Sequence, residues 1–358
     1  MPAYKNKERN TWYAAFYYTD WQGTRKKKKK EGFKTQREAK AYERVFLERA
    51  QADPDMSFAT LVDIYLEDNK TRIKPTTFDN KQYVIKNKIL PYFKDLPINE
   101  IDAAVVRRWQ NELLSDDKDY SPTYLRSLHS HLSAIFNFAV KYYKLNGNPA
   151  RTCGSIGKDN ADSMKFWTRD EFSQFIENVE SPVAKIVFVM LFWTGMRVGE
   201  CLALTLDDIN NTADGWAITV DKNYVRLKKE DLILEPKTEK GKRVVTIPDS
   251  VYQELIIYIE QLYDYQSHER LFLISKNVLN FELKSAANAA EVKIIRVHDL
   301  RHSHASLLIE LGFSPVLIAE RLGHENVETT LNTYSHLYPN KHGEVAQKLE
   351  ELMPVTNY

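Results

Sequence analysis

Two breaks constrain this chain more than any other feature in it. Asp53-Pro54-Asp55 and Asn146-Gly147-Asn148-Pro149 are stretches that no helix or strand passes through easily. Proline forces its predecessor out of the helical region, and Asn-Gly favours a turn. The breaks divide 358 residues into three segments with different periodicities, and a chain of that length is expected to build two or three separate cores. Cys153 and Cys201 are the only cysteines, too few for a disulfide framework or a zinc cluster. No apolar run approaches the roughly 20 residues of a membrane span, and the basic N-terminus lacks the apolar stretch of a signal peptide. These features point to an intracellular, reduced, cytoplasmic protein with no membrane partner.

In the first segment, residues 1–55, NTWYAAFYYTDW and RKKKKKEGF alternate apolar and polar residues at strand period, interrupted by Gly23. A helix is expected from Thr35, whose hydroxyl caps it, with Glu38 completing a capping box. The net charge of the whole chain is +1, which hides an asymmetry: residues 1–50 hold 14 Lys and Arg against 6 Asp and Glu. That is +8 for this end and −7 for the remainder. Five consecutive lysines, Lys26, Lys27, Lys28, Lys29 and Lys30, lie within it. Such a patch attracts phosphate backbones through counterion release, although a lysine run by itself is as readily a solvated face.

The second segment, residues 56–155, reads as helices throughout: one at FATLVDIYLEDN, one entered at Thr76 or Thr77, one at INEIDAAVVRRWQNELL with Ile101, Val105 and Leu113 inward, and one from Ser121 with Pro122 in its first turn. In the third segment, residues 160–350, an apolar helix turns at Gly195 into a second helix. The runs WAITV, EDLILEP and RVVTIP predict hairpins, and helices follow from Val251 onward. The expected fold class is multidomain and mainly α with small β-sheets: a small sheet-plus-helix module, a helical domain and a mixed α/β (α+β) domain.

Four short motifs in the third segment carry the chemistry. TGMRVGE puts Arg197 at a helix start behind a glycine turn. EPKT puts Lys237 before RVVTIP at a hairpin. HDLRH carries His298 and Arg301 on a helix, and LGH ends at His324, ten residues before Tyr334 in LNTYSH. Singly these residues are ordinary surface or core residues; their order and the adjoining glycines make the set specific.

Together they resemble the tyrosine recombinase family, especially its phage and conjugative-transposon integrases. The matching positions are Arg197, Lys237, His298, Arg301, His324 and Tyr334. The helical segment resembles the family's core-binding, SAM-like domain and the basic N-terminus its arm-binding domain, so the likeness spans essentially the whole chain. What the resemblance implies is a site-specific recombinase that integrates and excises a mobile element or prophage, with Tyr334 linked to the DNA 3′-phosphate. Tyrosine is suited to this, because its ester stores the phosphodiester bond for resealing without ATP. Arg197 and Arg301 would clamp the phosphate oxygens bidentately, with His324 adding a hydrogen bond. His298 would take and return the tyrosine proton, Lys237 would protonate the leaving 5′-oxygen, and Glu200 would orient Arg197. No cofactor and no metal is expected, since the arginines supply the positive charge.

The partners implied are double-stranded DNA at core and arm sites, a homotetramer on synapsed DNA, and an excisionase or host DNA-bending protein. Two choices stay open within the motifs: Lys240 and Lys242 lie near Lys237, and Tyr338 lies one helical turn beyond Tyr334. His302 and His304 read as structural, packing or bonding within their helix. An amphipathic tail over 341–353, with Val345, Leu349 and Leu352 on one face, packs on its own domain or on a neighbouring subunit. The other classes to weigh are a catalytically silent DNA-binding regulator, a topoisomerase, and a metal-dependent nuclease. The last draws on the i,i+4 spacing of His298 and His302, but Arg301 between them disfavours a cation.

Overall fold

The computed structural model describes residues 3–6, 10–19, 24–52, 55–115, 119–158, 164–236 and 238–338, together with residues 349 and 352. The chain forms two compact units, Met1–Asp162 and Ser163–Tyr358. No described helix is long and apolar enough to cross a membrane.

The first unit opens with an antiparallel sheet in the order β1 (Ala3–Asn6), β2 (Thr11–Thr19), β3 (Arg25–Phe33), followed by α1 (Gln36–Ala52). Glu38 bonds the Thr35 backbone N–H and Thr35 Oγ1 accepts from the Glu38 N–H, so the expected capping box forms. Strand alternation then sorts the residues. Ala3, Ala14 and Phe16 are buried with Ala39 of α1, while Tyr4 and Tyr13 stack at 5.3 Å on the other face. The lysine run lies on β3 and divides in the same way. Lys28 and Lys30 stand over the Phe46 and Tyr42 rings of α1, whereas Lys27 and Lys29 stand over Tyr17 and Tyr13. Strand β1 is absent from the sequence reading because AYKN is too short to show a period. Gly23 lies outside the described residues.

A helical core completes this unit: α2 (Phe58–Lys70), α3 (Pro75–Val84), α4 (Leu90–Phe93), α5 (Ala103–Leu113), α6 (Pro122–Tyr143) and α7 (Pro149–Cys153). Between α3 and α4 the chain widens into a π-turn over Ile85–Ile89, and both of those isoleucines are buried. Ser121 caps α6 with Pro122 in the first turn. In α5 the inward residues are Val106, Trp109 and Leu113 rather than Val105, because Asp102 caps the helix and leaves buried Ile101 ahead of it. Trp109 packs on Phe93 at 5.5 Å, which in turn meets Phe58 at 5.4 Å.

The second unit begins with α8 (Arg169–Glu177), the almost wholly buried α9 (Pro182–Thr194) and the short α10 (Val198–Cys201). Five strands follow: β4 (Ile209–Thr212), β5 (Gly215–Val220), β6 (Asn223–Leu227), β7 (Glu230–Leu234) and β8 (Arg243–Thr246). The pairing differs from a run of consecutive hairpins. Strand β5 lies between β4 and β8, and β6–β7 is a separate hairpin inserted between β5 and β8. Its turn is formed by Lys228 and Lys229 at φ +51° and +74°, a geometry usually supplied by Asn-Gly, so neither the turn nor β6 announces itself in the sequence. The unit ends with α11 (Asp249–Ile259), α12 (Lys276–Ala289), α13 (Asp299–Glu310), α14 (Pro315–Leu322) and α15 (Val327–Tyr334). The 341–353 tail lies outside the described residues except for Leu349 and Leu352, both exposed.

Candidate active site

The site is built on two glycine turns. Helix α9 stops at Gly195 and α14 at Gly323, each in the left-handed region at φ +68°. A side chain is excluded at both positions. A Cβ at Gly195 would lie 2.5 Å from His304 Cδ2, and one at Gly323 would lie 2.9 Å from the Lys240 carbonyl oxygen. The first turn delivers Arg197 to the start of α10; the second delivers His324 to the end of α14.

Arg301, on α13, ties the turns together. It is 3% exposed, and it donates from Nη1 to the Gly195 carbonyl at 2.8 Å and from Nη2 to the Leu322 carbonyl at 2.6 Å. A guanidinium has five N–H donors, so these bonds leave Nε and one hydrogen on each Nη. Burial and the nearby Arg197 push its pKa down to about 9, still ionised at neutral pH. Arg197 reaches the same place with Nη2 3.4 Å from the Gly323 carbonyl, but its side chain keeps 39% exposure.

Glu200 anchors Arg197, as the sequence expectation had it. Its carboxylate accepts from the Arg197 backbone N–H at 2.9 Å and from Arg197 Nη1 at 2.7 Å. Burial alone would raise its pKa; Arg243, then Arg197, outweigh burial and hold it below the ordinary carboxylate range. Arg243 is not recognisable in the sequence as part of this assembly. Buried on β8, it donates to Glu200 at 2.8 Å, to the Arg321 carbonyl at 2.8 Å and to the Gly241 carbonyl at 3.0 Å. It thereby joins the strand behind the lysine hairpin to both glycine turns.

Lys237 lies outside the described residues. Of its alternatives, Lys240 donates to the Glu325 carbonyl at 2.8 Å, beside His324, and Lys242 lies 3.9 Å from Glu235. The His324 ring bonds Thr330 Oγ1 at 2.8 Å through Nδ1. Tyr334, at the end of α15, is 1% exposed, and burial raises its pKa to about 12. The Tyr338 hydroxyl is buried without a hydrogen-bond partner among the described residues.

His302 and His304 are expected from the sequence to be structural, packing or bonding within their helix; His304 is buried and structural, but the bonding partners of both lie on other elements. His304 bridges elements: Nδ1 meets the Phe192 carbonyl at 2.8 Å, and Nε2 accepts from Arg321 at 3.0 Å. His302 Nδ1 lies 2.8 Å from the Tyr334 hydroxyl. His298 is one ring further away, edge-on to His302 with centroids 5.5 Å apart. The visible signal for this was the i,i+4 spacing of His298 and His302, which puts both on one helix face.

Comparison with known proteins places this geometry. Residues 165–341 match the model of the phage integrase family, residues 57–114 the N-terminal SAM-like domain of phage integrases, and residues 2–50 an arm DNA-binding domain. The ICEBs1 integrase of Bacillus subtilis (strain 168) is 32% identical over 330 residues, covering 86% of each chain. The integrase of Staphylococcus phage L54a is 28% identical, covering 83% of this chain and 94% of its own. The fold is shared with the Tn1549 transposon integrase solved in complex with a circular intermediate DNA. There the TM-score is 0.67 at 19% identity, over 83% of this chain and 100% of the other. It is also shared with a lambda integrase tetramer bound to a Holliday junction, with a TM-score of 0.57 at 18% identity over 91% and 96% of the two chains. The chain belongs to the phage integrase family, the site-specific tyrosine recombinases that break and rejoin DNA strands.

Burial, reinforced by neighbouring positive groups, lowers the pKa of His302 to about 4, of His324 to about 4 and of His304 to about 3. In the unfolded chain each titrates near 6.5, so between these values only the unfolded state binds the proton. The stability they contribute is complete above about pH 6.5 and declines as pH falls toward 4. Glu200 and Asp299, also depressed, add acid sensitivity only below the ordinary carboxylate range. Urea unfolding between pH 7 and 5 is expected to show falling stability, and His304→Asn is expected to remove about one proton from the uptake.

Proposed function

We propose that this protein integrates a mobile DNA element, and excises it in reverse, through a 3′-phosphotyrosine ester on Tyr334. The observation that carries this reading is Arg301 spanning the two turns that place Arg197 and His324, with Tyr334 bonded to the same helix through His302. A phosphodiester entering there meets donors set before it arrives, which is how a site stabilises charge developing in a transition state. The Tyr334 oxygen attacks phosphorus and the 5′-oxygen leaves. Arg197 and the remaining Arg301 hydrogens bond the non-bridging oxygens, and His324 adds a third contact. Lys237 protonates the departing oxygen; three positions on in the sequence, Lys240 is bonded to the Glu325 carbonyl, next to His324. Glu200 and Arg243 are positioning residues. One ester replaces another, so neither ATP nor a metal enters the scheme. The reaction takes place in the cytoplasm, where the DNA is.

In the N-terminal module, the open sheet face takes the arm-site phosphates. Arg25, Lys27 and Lys29 stand there among Tyr13 and Tyr17, while Lys28 and Lys30 cover α1. An excisionase or DNA-bending protein would act beside it. Four copies assemble on paired sites, with the tail of one docking on the next. Its occupancy site is a groove of about 1100 Å³ beside α14 and β8, apolar at Phe313, Val316 and Leu317 and basic at Lys242 and Arg321. The tail supplies the complement in Glu350, Glu351 and the exposed Leu349 and Leu352.

Covalent trapping tests the central reading. With end-labelled nicked duplexes from the DNA flanking its gene, and EDTA present, the wild type is expected to form a protease-sensitive adduct that Tyr334→Phe does not. An adduct that survives this substitution moves the nucleophile elsewhere, with Tyr338 next. On arm DNA, replacing Arg25, Lys27 and Lys29 with Ala is expected to lower affinity and flatten the log–log salt slope by about 2 to 3. Replacing Lys28 and Lys30 should change it by less than about 1, as titrations across salt concentrations will show. Deleting residues 341–358 should weaken synapsis, measured by gel shift of paired sites, more than single-site binding.

A further inference from the structure

We propose that His302, the second histidine of HDLRH, is the base that takes the Tyr334 proton during cleavage and returns it during resealing. This rests on Tyr334 being the nucleophile. The phenolic hydroxyl is 2.8 Å from His302 Nδ1, and the His302 ring stands between those of His298 and Tyr334, with centroids 5.5 and 5.7 Å away. His298 has no such contact with the hydroxyl among the described hydrogen bonds. A phenol donates to an unprotonated imidazole nitrogen, so the pair needs the tautomer with its hydrogen on Nε2. That is also the form able to accept the proton.

The surroundings favour this base and restrain it. Burial, then His298, hold His302 neutral at physiological pH, so Nδ1 is free to accept. Burial holds Tyr334 protonated, so no phenolate stands ready without DNA, and the proton moves only as the oxygen commits to phosphorus. Asp299, 2% exposed and gripped by Arg296 at 2.7 and 3.1 Å, supplies negative charge near the imidazolium that results. In cleavage the Tyr334 oxygen–phosphorus bond forms and the phosphorus–5′-oxygen bond breaks. The phenolic proton passes to Nδ1, and the 5′-oxygen takes its own proton from the separate acid. In resealing both protons return and the tyrosine ester breaks.

A histidine that only holds Tyr334 in place would be replaceable by another acceptor. Asparagine offers one, because its Oδ1 stands about where Nδ1 does but is far too weak a base to accept the proton. The experiment is single-turnover cleavage of a nicked duplex by the full-length protein, comparing wild type, His302→Asn, His302→Ala, Lys237→Ala and Tyr334→Phe. Binding of the duplex and urea midpoints are checked for each. Both His302 variants are expected to slow cleavage on the order of 10²-fold. Substituting sulfur for the bridging 5′-oxygen, a leaving group that needs no acid, should relieve the Lys237→Ala deficit and leave the His302 deficits intact. His302→Asn cleaving at the wild-type rate would overturn the assignment. A His302 deficit abolished by the sulfur would do so as well, since it would place the residue at the leaving oxygen. An adduct formed by Tyr334→Phe would overturn the nucleophile instead.

Discussion

The catalytic unit depends on one buried cation bonded to backbone carbonyls. Among the described residues Arg301 has no carboxylate in its hydrogen-bonding shell; its bonds go to the carbonyls of Gly195 and Leu322, at the ends of α9 and α14. Helix C-termini carry partial negative charge and unsatisfied carbonyls, so the guanidinium answers both needs. Near it stand Arg197 and Arg243, with Glu200 the carboxylate that joins them. Burial first, and then repulsion from the neighbouring Arg197, depresses the pKa of Arg301. An anion entering beside Arg197 would lessen that repulsion.

The coordinates of the site follow from this tie. Both glycines are required by the approach of other groups: the His304 ring at one turn, the Lys240 carbonyl at the other. His304, Arg321 and Arg243 form a scaffold behind the reacting groups, bonding α13, α14, β8 and the end of α9 to one another. Such networks are rigid when every member is satisfied. Burial of the histidines as neutral rings is part of the same arrangement, because a charged imidazole among these guanidinium groups would raise the repulsion further.

Much of this was legible in the chain. Helices with strong apolar period or a Ser-Pro start, such as α6 and α9, are readable because caps and burial act locally. The order of Arg197, Arg301, His324 and Tyr334 pointed to the family because glycine turns and polar residues recur together. What could not be read was set by distant contacts. The β6–β7 hairpin turns on two lysines whose left-handed conformation carries no Asn or Gly, and β5 pairs with β8 across it. Arg243 looks like any strand arginine until its carbonyl partners from other elements are present. His302 looked like a packing residue because Tyr334 is 32 positions away. In α5 the sequence puts Val105 inward beside Ile101 and Leu113, whereas the helix capped by Asp102 turns Val106 inward instead.

The alternation in β2 and β3 has a further consequence. One side of each strand supplies the interior of the N-terminal module, Ala14 and Phe16 against Ala39, while the other side carries Tyr13, Tyr17, Arg25, Lys27 and Lys29. The same eighteen positions of strand thus hold two texts that can be revised separately. Exposed substitutions cost little stability, whereas interior ones cost much. A lineage carrying this module is free to rewrite its outward letters, and with them, on the arm-site reading proposed above, the address at which it docks, while the interior and the cutting unit stay as they are.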